Sequence, residues 1–384
     1  MLRVVTLSTL FPDATRPNFG VFVERQTLGL ALEPDTEVTV IAPVGLPPWP
    51  LRRGRHAALA GLPEREGWRG LDVHRPRFLA LPATQGRFHA GLLTRTLTPL
   101  LDRLSFDVID ASFFFPDGPA AIALGRRYSV PVSIKARGAD IHHWGHAPAT
   151  AAQVRAAGRA ADGLLAVSES MKADMVAIGL SRERISVHRT GIDADRFRPT
   201  DRAAAKVSFG LSGPTVLSMG ALIPRKGHEI VVAAVATLPG VTLLIAGEGP
   251  DRAALIAQAR RLGVADRVRL LGSVPHAELP ALIAAADVMA LASSSEGLAN
   301  AWVEALACGT PIVIPAAGGA RELVTTRAAG RIVAREPHAF AAAIAELLDE
   351  RPAPEAVAAA AAPFSWERNA RELRTHLARL VARG

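Results

Sequence analysis

Apolar residues along this chain gather into short runs of valine, isoleucine and leucine, separated by longer stretches with helical spacing. Runs at 3–7, 38–42, 108–110, 132–134, 164–167 and 185–188 form a first set. Runs at 216–219, 241–246, 268–271, 288–291 and 312–314 form a second. Runs without polar alternation belong to strands covered on both faces, as in parallel sheets. Strand and helix in alternation predict βαβ units, and so a doubly wound α/β architecture.

Between the two sets lies GIDADRFRPTDRAAA at 191–205, polar, charged and punctuated by Pro199, which reads as a linker. A domain boundary is therefore expected near 197. The tail, 363–384, follows an alanine-rich stretch and Pro363 and has the spacing of a separate amphipathic helix. The domains expected are 1–197, 198–362 and the terminal helix 363–384. A chain of 384 residues suits two domains better than one core. Ligands of doubly wound sheets bind beyond the carboxyl ends of the strands. The site is thus expected there, in a cleft between the two domains.

Composition narrows the class. With 49% hydrophobic and 21% charged residues the chain folds into a core. The single cysteine, Cys308, excludes an internal disulfide and favours a reducing compartment. The start, MLRVVTLSTLFPDATRP, reads as a strand and a loop and lacks the apolar stretch of a signal peptide. Net charge is +8, yet only Lys135, Lys172, Lys206 and Lys226 are lysines, a bias typical of a GC-rich genome. The excess concentrates at 40–105, where ten arginines face four acids. That set fits anionic lipid headgroups. Nucleic acid is not expected as a partner: aromatics are 5% and no nucleic-acid-binding signature is present.

Two segments carry candidate chemistry. The first is SSSEGLANAWVEALACGTPIVI at 293–314. Ser293–Ser295 are candidates to cap a helix, Gly297 allows a tight bend, and a helix is predicted over 301–307, ending at Gly309-Thr310-Pro311. Backbone N–H groups of residues 297–300 at such a helix start suit an anion such as a diphosphate. Carboxylates accept hydrogen bonds from sugar hydroxyls, and Glu296 and Glu304 are placed to do so. A lone helical glutamate is ordinarily solvated, but Trp302, Val303, Ala305 and Leu306 surround Glu304 with apolar neighbours. The second segment is LSMGALIPRKGHEIVVAAV at 217–235. Arg225 and Lys226 there follow a strand and precede a helix, where adjacent cations suit phosphate. No Asp-x-Asp or Cys/His set has metal-ligand spacing, so no metal is expected.

Further motifs run in a fixed order: TGIDADRF at 190–197, IAGEGP at 245–250, LGSVPHAELPALIAAADV at 271–288, Glu296 and Glu304 as E-x7-E, EALACGTP at 304–311 and GGARE at 318–322. Together they resemble the retaining glycosyltransferases of family 4, over nearly the whole chain. FPDATRPNFGVFVERQTLGL at 11–30 is similar to the first loop of a bacterial surface-polysaccharide branch that includes teichuronic-acid-type enzymes. The resemblance implies a GT-B fold: two doubly wound Rossmann-like domains facing across a cleft. It also implies that the last helix crosses back to the N-terminal domain, near the FSW at 364–366. The N-terminal domain would bind the acceptor and the C-terminal domain the nucleotide sugar.

The same resemblance implies roles. Arg225 and Lys226 would neutralise the leaving diphosphate, Glu296 would hold the transferred sugar, and Glu304 the ribose. Gly297, Leu298 and Ala299 would offer backbone N–H groups, and Gly247 and Glu248 would lie near the base. Gly20 would serve the donor phosphates, or only the turn it stands in. Arg137 and Asp140 would lie on the sugar and acceptor side. No cofactor is implied, a UDP- or GDP-sugar being the substrate, and the donor phosphate itself would deprotonate the acceptor. The implied acceptor is a glycan or a lipid-linked species, and the implied place is the cytoplasm at the inner face of the membrane. Trp49 and Leu51 beside Arg52, Arg53 and Arg55, with a basic helix over 87–103 interrupted at Pro99, would touch anionic lipid.

Two departures stand against the family pattern. Ala221 replaces the usual arginine after Gly220, and Arg137 replaces the usual sugar-side histidine. They motivate the reading of a nucleotide-binding partner without catalysis, and a nucleotide-sugar epimerase stays open because such enzymes share this architecture. Nucleotide bound without turnover would mark the first, and sugar isomerised without acceptor the second.

Overall fold

The computed structural model describes residues 1–383. The chain divides into two units, one of Met1–Gly191 with the segment from Trp366 onward, the other of Ile192–Ser365. Each of the eleven apolar runs falls in a strand, none reaching more than one residue beyond it.

Unit one contains β1 (Leu2–Leu7), β2 (Thr36–Ile41), β3 (Val44–Leu46), β4 (Arg65–Trp68), β5 (Leu71–His74), β6 (Arg77–Leu79), β7 (Val108–Ala111), β8 (Val132–Ala136), β9 (Gly163–Ala166) and β10 (Ile185–Val187). Eight of them form one sheet in the order β10-β9-β8-β7-β1-β2-β5-β4, and β3 pairs with β6 beside it. All pairs are parallel except β4–β5. Strands β3 to β6 fall in the arginine-rich stretch, where they are too short and too polar to show as apolar runs. Unit two contains β11 (Thr215–Met219), β12 (Thr242–Ala246), β13 (Val268–Gly272), β14 (Val288–Ala290), β15 (Ile312–Ile314) and β16 (Gly330–Ile332). They form an all-parallel sheet in the order β13-β12-β11-β14-β15-β16. Leu243, Ile245, Val231, Val235, Phe340 and Ile344 are among the side chains of its core, with helices on the sheet.

Three expectations need correction. Residues 191–205 are not a linker: from Ile192 onward they are the start of unit two. Ile192 bridges to Ser365 and its N–H donates to the Phe364 carbonyl at 2.9 Å, while Phe197 is buried. A helix, Arg202–Ser208, follows, its N-terminus capped by Asp201, which accepts from the N–H groups of Ala203 and Ala204. Two apolar anchors thus outweigh a polar composition, and the chain divides after Gly191 rather than near 197. Nor does Pro99 interrupt its helix, which runs His89–Leu101. Pro99 and Arg95, the carbonyl of which loses its helical partner, both lie on the exposed face, where the carbonyl is open to solvent. The third correction, the serine cap, belongs to the site below.

The last helix, Trp366–Val381, belongs to unit one. It packs on the helix Val21–Leu32 and buries Leu373 and Leu377 among Leu2, Val4, Leu30, Val108 and Leu165. Asn369 Nδ2 donates to the Arg189 carbonyl at 2.5 Å, and Gly191 leaves room for the Trp366 backbone and ring.

Candidate functional site

Strand order decides where unit two can hold a ligand. From β11 the chain winds outward through β12 to β13, then returns to place β14 on the other side of β11. The loops after β11 and β14 therefore diverge at a topological switch point, the crevice where doubly wound sheets bind ligands. Arg225 and Lys226 follow β11, and Ser293–Ala299 follow β14. The structure brings them together. Lys226 Nζ lies 2.5 Å from Glu296 Oε1, and Arg225 Nη1 lies 3.6 Å from Glu296 Oε2 and donates to the Ser295 carbonyl at 2.6 Å. The Ser294 N–H donates to the Arg225 carbonyl at 2.8 Å, fixing one loop to the other. Lys226 and Glu296 are largely buried, whereas Arg225 is 44% exposed and so available to an incoming anion.

Ser293–Ser295 do not cap the helix that follows. It runs Asn300–Ala307 with Ala299 at its N-cap and no side-chain cap bond. Ser294 and Ser295 are instead spent on the loop joint. Among the described residues Ser293 Oγ is buried without a hydrogen-bond partner, and the backbone N–H groups of Leu298 and Ala299 find no protein acceptor. GGARE packs against this bend: the Gly319 N–H donates to the Gly297 carbonyl at 2.9 Å, and a Cβ on Gly318 would stand 2.4 Å from the Glu296 carbonyl oxygen. Gly247 follows β12 at φ 146°, and a Cβ there would stand 1.8 Å from the Gly220 carbonyl oxygen. No other residue fits so close an approach of two backbones. Glu248 follows, its carbonyl accepting from the Leu222 N–H at 2.8 Å.

Glu304 lies apart from the Lys226 pair. Its carboxylate is 3.7 Å from His276 Nε2. His276, Arg196, His228 and Arg335 were not singled out from sequence, although the first three lie within the recognised motifs. Arg335 donates to the carbonyls of Ala292 at 2.7 Å and Pro224 at 3.0 Å, tying both site loops from behind. His228 is buried, which pushes its pKa down to about 4. Its Nδ1 lies 2.9 Å from Ser218 Oγ and its Nε2 3.3 Å from the Ala221 carbonyl, so a neutral ring holds the turn where Ala221 stands.

Unit one gathers a second polar cluster at the carboxyl ends of β1, β7 and β8. Arg137 donates to the Ser112 carbonyl at 2.6 Å and to Gln26 Oε1 at 3.1 Å, and its guanidinium lies over Phe22, 5.0 Å from the ring centre. Burial lowers its pKa to about 10, so it stays charged at neutral pH. Asp140 is fully buried and accepts from the backbone N–H groups of Phe114, Arg137 and Gly138. That arrangement makes it a brace for the loop that carries Arg137. Gly20 caps the helix Val21–Leu32 at φ 72°, with its Cα side against the Leu10 carbonyl, so the turn alone already requires glycine. Beneath these lies Lys135, fully buried, its Nζ 2.8 Å from both Gln26 Oε1 and His188 Nδ1. Burial holds its pKa well below the usual range and raises those of Asp110 and Asp117, the latter to about 8. The signal was present in the sequence: a lysine inside the apolar strand VSIKA.

Among the described residues, no helix is long and apolar enough to cross a membrane. Comparison with known proteins matches residues 26–196 to the family model Glycosyltransferase Family 4 and residues 200–363 to Glycosyl transferases group 1. A D-inositol 3-phosphate glycosyltransferase of Segniliparus rotundus is 39% identical over 206 residues, 49% of this chain and 45% of that protein. The chain thus spans about half the length of the curated relatives it matches. Among solved structures, a sucrose-phosphate synthase from Thermosynechococcus elongatus superposes with TM-score 0.84 at 19% identity, covering 100% of both chains. Anabaena HepE in complex with UDP-glucose does so with TM-score 0.74 at 21% identity, covering 98% of this chain and 100% of the other. The chain thus matches two glycosyltransferase family models in succession, each over somewhat less than half its length, and shares the GT-B fold of these solved structures.

Proposed function

We propose that this chain is a retaining glycosyltransferase that moves a sugar from a UDP- or GDP-sugar to a glycan or lipid-linked acceptor in the building of a cell-surface polysaccharide. The reading rests on the meeting of Arg225, Lys226 and Glu296 at the switch point of unit two. In the free protein Glu296 occupies both cations. A diphosphate displaces it from Lys226, and the released carboxylate turns to the hydroxyls of the transferred sugar. Glu304 takes the ribose hydroxyls, Gly297, Leu298 and Ala299 give backbone N–H groups, and Gly247 and Glu248 lie towards the base. Arg225 supplies the charge that Ala221 lacks. The departing diphosphate deprotonates the acceptor on the same face, so catalysis is positioning and charge stabilisation. Arg137, partly exposed at the carboxyl end of β8, serves the sugar and acceptor side.

A phosphorylated polyol is a second acceptor class, favoured by the name of the D-inositol 3-phosphate relatives. The test incubates the enzyme with UDP-, GDP- and ADP-sugars and either a membrane lipid extract or inositol phosphate, and follows the anomeric carbon by NMR. Transfer with retained configuration supports the reading. Isomerised sugar without acceptor, or binding without turnover, overturns it. Membrane contact is proposed through Trp49 and Leu51, both exposed, beside Arg52, Arg53 and Arg55. Trp49→Ala should lower co-sedimentation with anionic vesicles, and sedimentation indifferent to anionic lipid would refute the contact.

A further inference from the structure

His276 stands in the loop after β13, away from the helix that carries Glu304, and both of its ring nitrogens are accounted for. Nδ1 lies 3.1 Å from Arg196 Nη2, which also donates to the His276 carbonyl at 2.9 Å. A guanidinium has donors only, so Nδ1 presents its lone pair and the ring hydrogen sits on Nε2. Nε2 is the atom that faces Glu304 Oε1, at 3.7 Å. The Phe197 ring meets the imidazole edge-on, 5.5 Å between centres at 77°, and blocks its rotation from the side. Three distant parts of the chain, 196–197, 276 and 304, thus set one ring orientation and one tautomer.

The consequence concerns how Glu304 is used. At 3.7 Å the contact is longer than a hydrogen bond, so the N–H orients the carboxylate without consuming an oxygen. Glu304 keeps its accepting capacity for a ligand. A carboxylate biased in orientation by a fixed N–H dipole suits two adjacent hydroxyls better than an unbiased one, since less side-chain freedom is lost on binding.

We propose that His276, pinned by Arg196, is a positioning residue that presents Glu304 to the vicinal hydroxyls of a ribose, so that the donor is a ribonucleotide sugar and deoxyribonucleotide sugars are rejected. The inference rests on the reading of Glu304 as the ribose acceptor. Its test measures the affinity of the full chain for the tightest binder among UDP, GDP and ADP and for the 2′-deoxy counterpart of that nucleotide. His276→Ala should weaken ribonucleotide binding about five- to tenfold and change deoxynucleotide binding less than about twofold. His276→Gln, which restores an N–H donor, should recover most of the loss. In a Glu304→Gln background His276→Ala should add nothing. Arg196→Met, which leaves the ring but frees it, should follow His276→Ala and serves where that variant melts early. Equal losses for both nucleotides, or an undiminished loss in the Glu304→Gln background, overturn the proposal. Glu304→Gln binding as wild type refutes the ribose reading of Glu304 and this inference with it. A Glu304→Gln loss beside an unchanged His276→Ala refutes the role of His276 alone.

Discussion

Lys226 and Glu296 are 70 positions apart in sequence and 2.5 Å apart in the fold. Their pairing means that any anion entering the site competes with a carboxylate already there. Removing that competitor separates binding from catalysis. Glu296→Gln is expected to bind free nucleoside diphosphate as tightly as wild type or tighter, and to transfer sugar more slowly. Titration beside initial rates decides it, and weakened nucleotide binding would count against the exchange. Lys226→Ala removes a charge from the leaving group and should lower turnover on the order of a hundredfold, the usual loss for one such contact. A rate unchanged with a defined acceptor would refute its role. Both residues were legible in sequence because they are chemically conspicuous: a lysine in an arginine-rich chain, and an E-x7-E pair. His276 and Arg196 were not, since their roles arise only from what they touch.

Elements were legible where burial is continuous and obscure where it is not. Parallel strands covered on both faces leave apolar runs, and all eleven runs are strands. Strands β4 and β5, REGW and LDVH, leave none. The region 191–205 read as a linker because only Ile192 and Phe197 anchor it. The last helix shows how an element earns its place by packing: its spacing marked it as amphipathic, and the surface it covers is the face of β1, β7 and β9. Leu377 is fully buried there. Leu377→Ala should destabilise unit one by about 2–5 kcal/mol, read as a shift in the urea midpoint. An unshifted midpoint would mean that the helix is not packed as described.

At the scale of the whole molecule, stability should depend on pH through buried histidines in both units. Burial lowers the pKa of His228 in unit two and of His376 in unit one to about 4, and lowers that of His188 as well. Unfolded histidine titrates near 6.5. Between about pH 6.5 and 4 the unfolded chain binds protons that these folded sites refuse, so their effect is absent above 6.5 and stability falls as pH falls. For His228 and His376 the penalty reaches on the order of 3 kcal/mol each at the acid end. His228→Asn should therefore lose less stability than wild type over this range, by about 1.4 kcal/mol per pH unit. Urea unfolding at pH 6.5, 5.5 and 4.5 tests it, and parallel slopes would refute a neutral His228.

The sequence by itself determined the alternation of strand and helix in two halves, the cations and carboxylates of the donor motifs, and the glycines at their bends. These depend on local periodicity and on backbone angles that few residues adopt. Only the tertiary structure decided that β14 returns beside β11, and so that Lys226 meets Glu296. It alone decided that Asp140 braces its loop through three backbone N–H groups, that Lys135 is buried, and that Arg196 sets the tautomer of the histidine beside Glu304. Strand order and the neighbours of a buried polar group come from packing between distant segments, and local spacing does not encode them.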